Sequence, residues 1–237
     1  MARKTREEAL ATRERLLDAA QALFREHGVT RTSLAEVATA AGMTRGAVYW
    51  HFKDKADLFR AMCDRATLPL DASFDQAVQS ASSDPLGTLR TLSIGALTQL
   101  ANDARAQNVF EIVFHKSELV DELAGLATSH KQERCACLAQ IEDMMRHASV
   151  AGQLPADLDA ALATQALHAY MVGIMHEWVL DPAAYDLAAA APAFIDLFLG
   201  GLVAKPPRVA ADPDSPRTPA RVTAGRAVHA TNLRKAT

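Results

Sequence analysis

Apolar residues recur along this chain at the three- and four-residue spacing of an α-helix, interrupted by short polar runs rich in capping residues. From about Arg6 to His27, the residues Leu10, Leu16, Leu17, Ala20 and Phe24 mark a buried face, and Gly28 supplies a stop. Ser33, with Glu36 three residues on, forms a capping box for a short helix whose apolar face is Leu34, Val37, Ala38 and Ala41. Gly42 ends it, because glycine adopts the left-handed conformation other residues avoid. Thr44 then caps a second short helix, Arg45 to His51, with Val48 and Phe52 facing inward and Arg45, Gly46, Tyr49 and Trp50 mostly outward. Asp54, with Asp57 at the third position after it, caps a long helix that begins Leu58, Phe59, Met62 and runs towards residue 80. Pro69 lies inside it and predicts a bend.

The second half keeps the same period. SASSDP (80–85) is a linker in which Asp84 is a cap and Pro85 the first helical residue. Helices are expected over Leu86–Asn102 (face Leu89, Leu92, Ala96, Leu100), Arg105–Lys116 and about Leu119–Ala151, the last ending at Gly152. QLPADLD (153–159) breaks the pattern, and Asp157 is the expected cap of a helix to Leu180. A final helix covers about 186–203, with Pro192 either starting or kinking it. No stretch alternates convincingly with period two, so the fold class is all-α: an N-terminal three-helix module (1–54) and a C-terminal helical body (55–204). Residues 205–237 hold five of the ten prolines and few large apolar residues, which predicts a disordered basic tail.

Two short helices at a tight turn, the second presenting polar and aromatic groups, form a helix-turn-helix, whose second helix enters the major groove of DNA. Periodicity alone is equally satisfied by an ordinary helical hairpin. Charge adds a bias. The net charge of −3 divides into +3 over residues 1–60, −11 over 61–203 and +5 over 204–237. A basic module on an acidic body suits a DNA contact at one end. Arg3, Lys4 and Arg6 read as a basic arm able to reach a phosphate backbone or the minor groove.

Other chemistries find little support. Cys135 and Cys137 stand about 200° apart on a helix and share no metal with Cys63, which points to reduced cytoplasmic thiols. Glu111 with His115, and His176 with Glu177, lack a third and fourth ligand, so neither metal nor cofactor is expected. No phosphate loop, nucleophile elbow or catalytic carboxylate pair is present, and no catalytic residue is assigned. No leader peptide and no membrane span is expected, since no run of about 18 apolar residues is uninterrupted.

Residue identity sharpens the helix-turn-helix reading. TSLAEVATAAG followed by TRGAVYWHFKDKADLF, behind MARKTREEALATRERLLDAAQALFREHGV, closely resembles the TetR family of bacterial transcriptional repressors, most of all the AcrR-like and TtgR-like branch that controls multidrug efflux pumps. The resemblance is strong over residues 1–60 and weaker to about 204. It implies phosphate contacts from Thr32, Ser33, Thr44, Tyr49, His51 and Lys55. Arg45 is the expected base reader, because a bidentate pair to guanine needs its planar fork. Gly46 would let the backbone approach the groove, while Trp50, although mostly outward on its helix, is expected to pack against neighbouring helices. The body is implied to hold a ligand pocket and the dimer interface. Carried over by position, the pocket residues are Ala66, Thr67, Leu70, Ala96, Phe110, Val113, Phe114, Cys137, Ile141, His168, Met171, Val172 and Met175. Phe110, Phe114 and Val172 replace polar residues of relatives, and Phe110 and Phe114 at i, i+4 can share a wall suited to flat apolar molecules.

The expected partners are double-stranded operator DNA, a small apolar or aromatic inducer and a second copy of the chain. The dimer is expected through the last two long helices, whose Leu162, Leu167, Phe194, Leu197, Phe198 and Leu202 exceed one face's needs. Two readings compete: a regulator of a metabolic operon answering one metabolite, and a helical ligand-binding or enzymatic protein without an operator.

Overall fold

The computed structural model describes residues 2–66, 84–116 and 124–207, all helical or connecting, with no strand among the described residues. Helix α1 is Ala2–His27, α2 Leu34–Ala40, α3 Arg45–His51, and α4 is described over 55–66. The body comprises α5 Pro85–Asn102, α6 Ala104–Glu111 continued by a π turn at Ile112–Lys116, α7 Ala124–Val150, α8 Ala160–Leu180 and α9 Leu187–Ala204. Pro69, Thr67 and Leu70, the bend they concern, the start of the helix expected from Leu119 and the tail from 208 lie outside the described residues.

Local chemistry explains most boundaries. Gly28 and Gly42 take positive φ (+83° and +67°), turning the chain out of α1 and α2 at little steric cost. Ser33 and Glu36 form the capping box, and those hydrogen bonds hold the Glu36 carboxyl below its ordinary range. Thr44 accepts from the Ala47 N–H, and Asp54 from the Asp57 N–H while Asp57 accepts from the Lys53 N–H. Asp84 caps α5 ahead of Pro85.

Three expectations need correction, and a fourth point left open by the sequence is decided. Helix α1 starts at Ala2, so Arg3 and Lys4 lie in its first turns rather than in an extended arm; no glycine or proline interrupts the helix-forming residues there. Leu10 is 56% exposed, because the α2–α3 hairpin and α4 cover the face made by Leu16, Leu17, Ala20 and Phe24 and not its continuation. The cap of α8 is Asp159, not Asp157: the loop runs on two residues, and Asp159 accepts from the Leu162 N–H. Pro192 lies inside α9, which begins at Leu187 behind an Asp186 cap.

One core runs through the described chain, and α4 ties the helix-turn-helix to it. Leu58, Phe59 and Met62 are buried, with the Phe59 ring 6.1 Å from that of Phe24 on α1. Arg65, near the end of the described part of α4, reaches back to Glu14 (3.1 Å), Asp18 (2.7 Å) and Gln21 (2.9 Å) on α1. The body meets α1 through the Arg25–Glu111 ion pair (2.8 Å) and a main-chain bond from the Val29 N–H to the Lys116 carbonyl (3.2 Å). Replacing Arg65 with Met is expected to lower stability by about 1.5–3 kcal/mol, the range for charge-assisted hydrogen bonds, read from the urea unfolding midpoint. An unchanged midpoint would show that these bonds add nothing over water.

Candidate nucleic-acid interface

Helix α3 has seven residues, too few to be stable alone, so its neighbours must hold it. They grip one side only: Val48 and the C-cap residue Phe52 are buried, and the Arg13 guanidinium lies 5.4 Å from the Phe52 ring centroid. Arg15 of α1 donates to the Ala41 carbonyl at 3.0 Å, fixing the turn between α2 and α3. The opposite side faces solvent, with Arg45, Gly46, Tyr49 and Trp50 all exposed.

On that face Arg45 donates to the Tyr49 hydroxyl (3.3 Å) and its guanidinium lies 5.5 Å from the Tyr49 ring, contacts that raise its already high pKa. The pair holds the guanidinium extended along the exposed face, poised as a planar donor. A Cβ built at Gly46 meets nothing closer than the Thr44 hydroxyl at 3.8 Å, so the protein itself leaves room for a side chain there. Burial, and next the Arg13 charge, push His51 below the ordinary imidazole range, leaving a neutral ring with one N–H donor at neutral pH.

Trp50 does not pack against neighbouring helices as expected. It is 72% exposed, touching the edge of the His51 ring at 4.5 Å, because it sits two residues past Val48 and so about 200° round the helix. Its large apolar surface belongs to the presented face, and that angular offset was the signal in the sequence. Thr32 also departs from its expected role. Its side chain is 2% exposed and its hydroxyl donates to the Gly28 carbonyl at 2.8 Å, while its N–H points to the Val29 carbonyl. Both donors bind inside the fold and stabilise the turn. Lys55 donates to the Thr30 carbonyl (3.1 Å), tying the start of α4 to the loop before α2. Ser33 and Thr44 are exposed as the N-caps of α2 and α3.

The expected pocket residues are distributed over α4 to α8. Ala66 and Ile141 are buried; Phe110, Val113, Met171 and Met175 are partly buried against the core; Ala96, His168 and Val172 are half-buried. The Phe110 and Phe114 rings lie 5.5 Å apart, and Phe114 is 5.5 Å from the His176 ring, so α6, its π turn and α8 gather an aromatic wall. Cys137 is exposed on α7. Among the described residues no group of three or more His, Cys, Asp or Glu could hold a metal, and Glu111 is engaged by Arg25.

Gly46 separates folding from recognition. Gly46→Ala is expected to raise stability by about 0.5–1 kcal/mol, the helix-propensity gain over glycine, and to weaken DNA binding about tenfold or more because the methyl stands between backbone and groove, a loss of about 1.4 kcal/mol. Thermal unfolding and fluorescence anisotropy on duplex DNA measure the two; unchanged affinity would mean this face does not approach the groove. Trp50 emission is expected to change on binding, and an indifferent spectrum would remove it from the contact.

Comparison with known proteins agrees with this geometry. Residues 16–62 match the domain described as "Bacterial regulatory proteins, tetR family", and residues 84–203 the "MAATS-type transcriptional repressor, C-terminal region". The chain is 37% identical over 199 residues to the HTH-type transcriptional regulator AcrR of Shigella flexneri, covering 84% of this chain and 93% of that protein. Among solved structures it resembles NalD, the secondary repressor of the MexAB-OprM multidrug efflux pump in Pseudomonas aeruginosa, at 32% identity and TM-score 0.72, covering 84% of this chain and 99% of that one. It also resembles SmeT in its triclosan complex, at 33% identity and TM-score 0.71, covering 82% and 93%; SmeT represses the Stenotrophomonas maltophilia pump SmeDEF. With a helix-turn-helix that presents Arg45, Gly46, Tyr49 and Trp50 and matches over both regions, this chain belongs to the TetR family of bacterial regulatory proteins.

Proposed function

We propose that the protein is a transcriptional repressor that binds a palindromic operator as a homodimer, governs a multidrug efflux operon and is released by flat apolar ligands. The observation that carries the DNA-binding part is the solvent-facing side of α3, held by burial on its other side alone. The efflux assignment is supported by NalD and SmeT, repressors of multidrug efflux pumps. The module that reads DNA is assigned to residues 1–54, the sensing and dimerising body to 55–204, and the basic tail to 205–237. Ser33, Thr44, Tyr49 and His51 are assigned to phosphates and Arg45 to a base, with Arg3 and Lys4 adding charge from the start of α1. Lys55, which braces the loop before α2, is assigned to a phosphate as well. The protein acts without a catalytic residue or cofactor, in the cytoplasm.

The inducer pocket is assigned to the wall formed by Phe110, Val113, Phe114, Ile141, Met171, Val172 and Met175, with Ala66, Ala96 and His168 beside it. Aromatic rings and flexible thioethers accommodate flat molecules of varied shape. The triclosan complex of SmeT supports triclosan as a probe.

The dimer is assigned to α8 and α9. Helix α9 turns Leu187, Ala191, Ile195, Leu199 and Leu202 to its own core and leaves Leu197 72% exposed. Gly200 and Gly201 face open space, and α8 exposes Leu162, Ala166, Ala169, Gly173 and Leu180 along one side. Small residues beside leucines allow close helix approach, and two such pairs make a four-helix bundle. Leu167 and Leu202, expected in this surface, belong instead to the protomer's core, while Phe194 and Phe198 are half-buried. Helix α9 is long and apolar enough to cross a membrane by length and composition alone, with mean hydropathy 1.9 and 28% of it buried. Asp196 in its middle pairs with Arg90 of α5, and its buried face packs on the body, which favours a helical partner over lipid.

Leu197→Arg is expected to give a monomer by analytical ultracentrifugation and to lose selective operator binding; a dimer of unchanged affinity would place the interface elsewhere. On DNA upstream of its own gene, the wild type is expected to bind in excess competitor and to be released by several unrelated planar antimicrobials. Moving from 99% to 1% bound-competent requires about a 10⁴-fold affinity difference between states. Release by a single metabolite alone would favour a metabolic operon, and absence of selective binding would overturn the reading.

A further inference from the structure

A cleft of about 610 Å³ opens where the end of α1 meets the body; none of its lining residues lies on α3, and it shares Phe114 alone with the wall assigned to the inducer. Its volume lies within the range of small-molecule sites, about 300–1,000 Å³. His27, Thr30 and Arg31 line one wall, and Phe114, His115 and Lys116 of the π turn line the other. The bond from the Val29 N–H to the Lys116 carbonyl joins the two walls. A π turn inside an α-helical segment is rare and recurs at functional sites.

The lining is chemically one-sided. Arg31 and Lys116 are exposed cations, and neither forms an ion pair with a carboxylate among the described residues. His27 and His115 add two imidazoles, and Glu26, the one carboxylate of the lining, lies 3.9 Å from His27. His115 Nε2 is buried with no hydrogen-bond partner, a state that costs free energy until something satisfies it. Phe114 offers a flat apolar surface braced by Phe110 and His176. Two cations, a buried nitrogen and an aromatic wall fit one chemical class.

We propose that this junction cleft is a second small-molecule site, taking a flat aromatic carboxylate, with the carboxylate between Arg31 and Lys116, the ring against Phe114 and His115 Nε2 as the buried donor. An occupant touches both the helix-turn-helix side and the body side, so it changes the free energy of moving one against the other. By linkage, operator DNA then shifts ligand affinity by the same factor as ligand shifts operator affinity. That coupling rests on the operator-binding reading; capture of the carboxylate does not.

Isothermal titration of the full-length protein with 1-naphthoate, without DNA, tests capture. One site per protomer is expected, weakened at least tenfold by Lys116→Gln and by Arg31→Gln, both exposed positions that leave the core intact, and by His115→Phe. Retained binding in Met171→Ala is expected as well. No binding overturns the proposal, as does binding that Met171→Ala abolishes and Lys116→Gln spares, which belongs to the body wall. Inorganic phosphate binding as tightly as 1-naphthoate overturns the aromatic class. Operator affinity measured with and without 1-naphthoate then tests coupling: equal affinities overturn the effector role while leaving capture established.

Discussion

Everything this protein does with its first sixty residues depends on holding a seven-residue helix from one side. Such a helix has negligible stability in water, because nucleation costs more than so few hydrogen bonds return. Here Val48 and Phe52 fill the core, Thr44 satisfies the start of α3, and Arg13 and Arg15 grip its end and the turn before it. The reward is an outward surface with no structural duty, free to carry an arginine, a glycine, a tyrosine and a tryptophan. A more deeply buried α3 would be more stable and unable to enter a groove.

The same economy governs the connection to the body. The polar ties between the end of α1 and the body are few: one main-chain bond from Val29, just past α1, to Lys116 of the π turn, and one ion pair from Arg25 to Glu111 of α6. The larger tie is α4, whose apolar residues pack on α1 while Arg65 brackets three α1 side chains. The helix-turn-helix is thus tied to the body strongly through one helix and more lightly beside the π turn.

The caps and stops were legible in the sequence because each has a local cause. Ser33 with Glu36, Gly28, Gly42, Thr44, Asp54 and Asp84 act through neighbours no more than four residues away. What escaped depended on partners distant in the chain. Leu10 sits on the right helical face, but nothing packs over it. Thr32 looks like a phosphate donor until the Gly28 carbonyl takes its hydroxyl. The π turn at Ile112–Lys116 has no sequence signature, since it arises where α6 must meet both α1 and α8. Trp50 is turned outward by its angle from Val48, which the sequence shows, and only the absence of a neighbouring helix over it needed the structure. The resemblance supplied roles for single residues, and geometry gave Thr32 a structural one instead.

The central claim is a two-fold protein reading two half-sites with exposed α3 faces. Hydroxyl-radical footprinting on the DNA upstream of its gene tests it most directly. The account predicts two protected patches about one helical turn apart, arranged as a palindrome and lost together when a planar drug is added. A single patch, or protection that drifts with position and disappears only with salt, would contradict it.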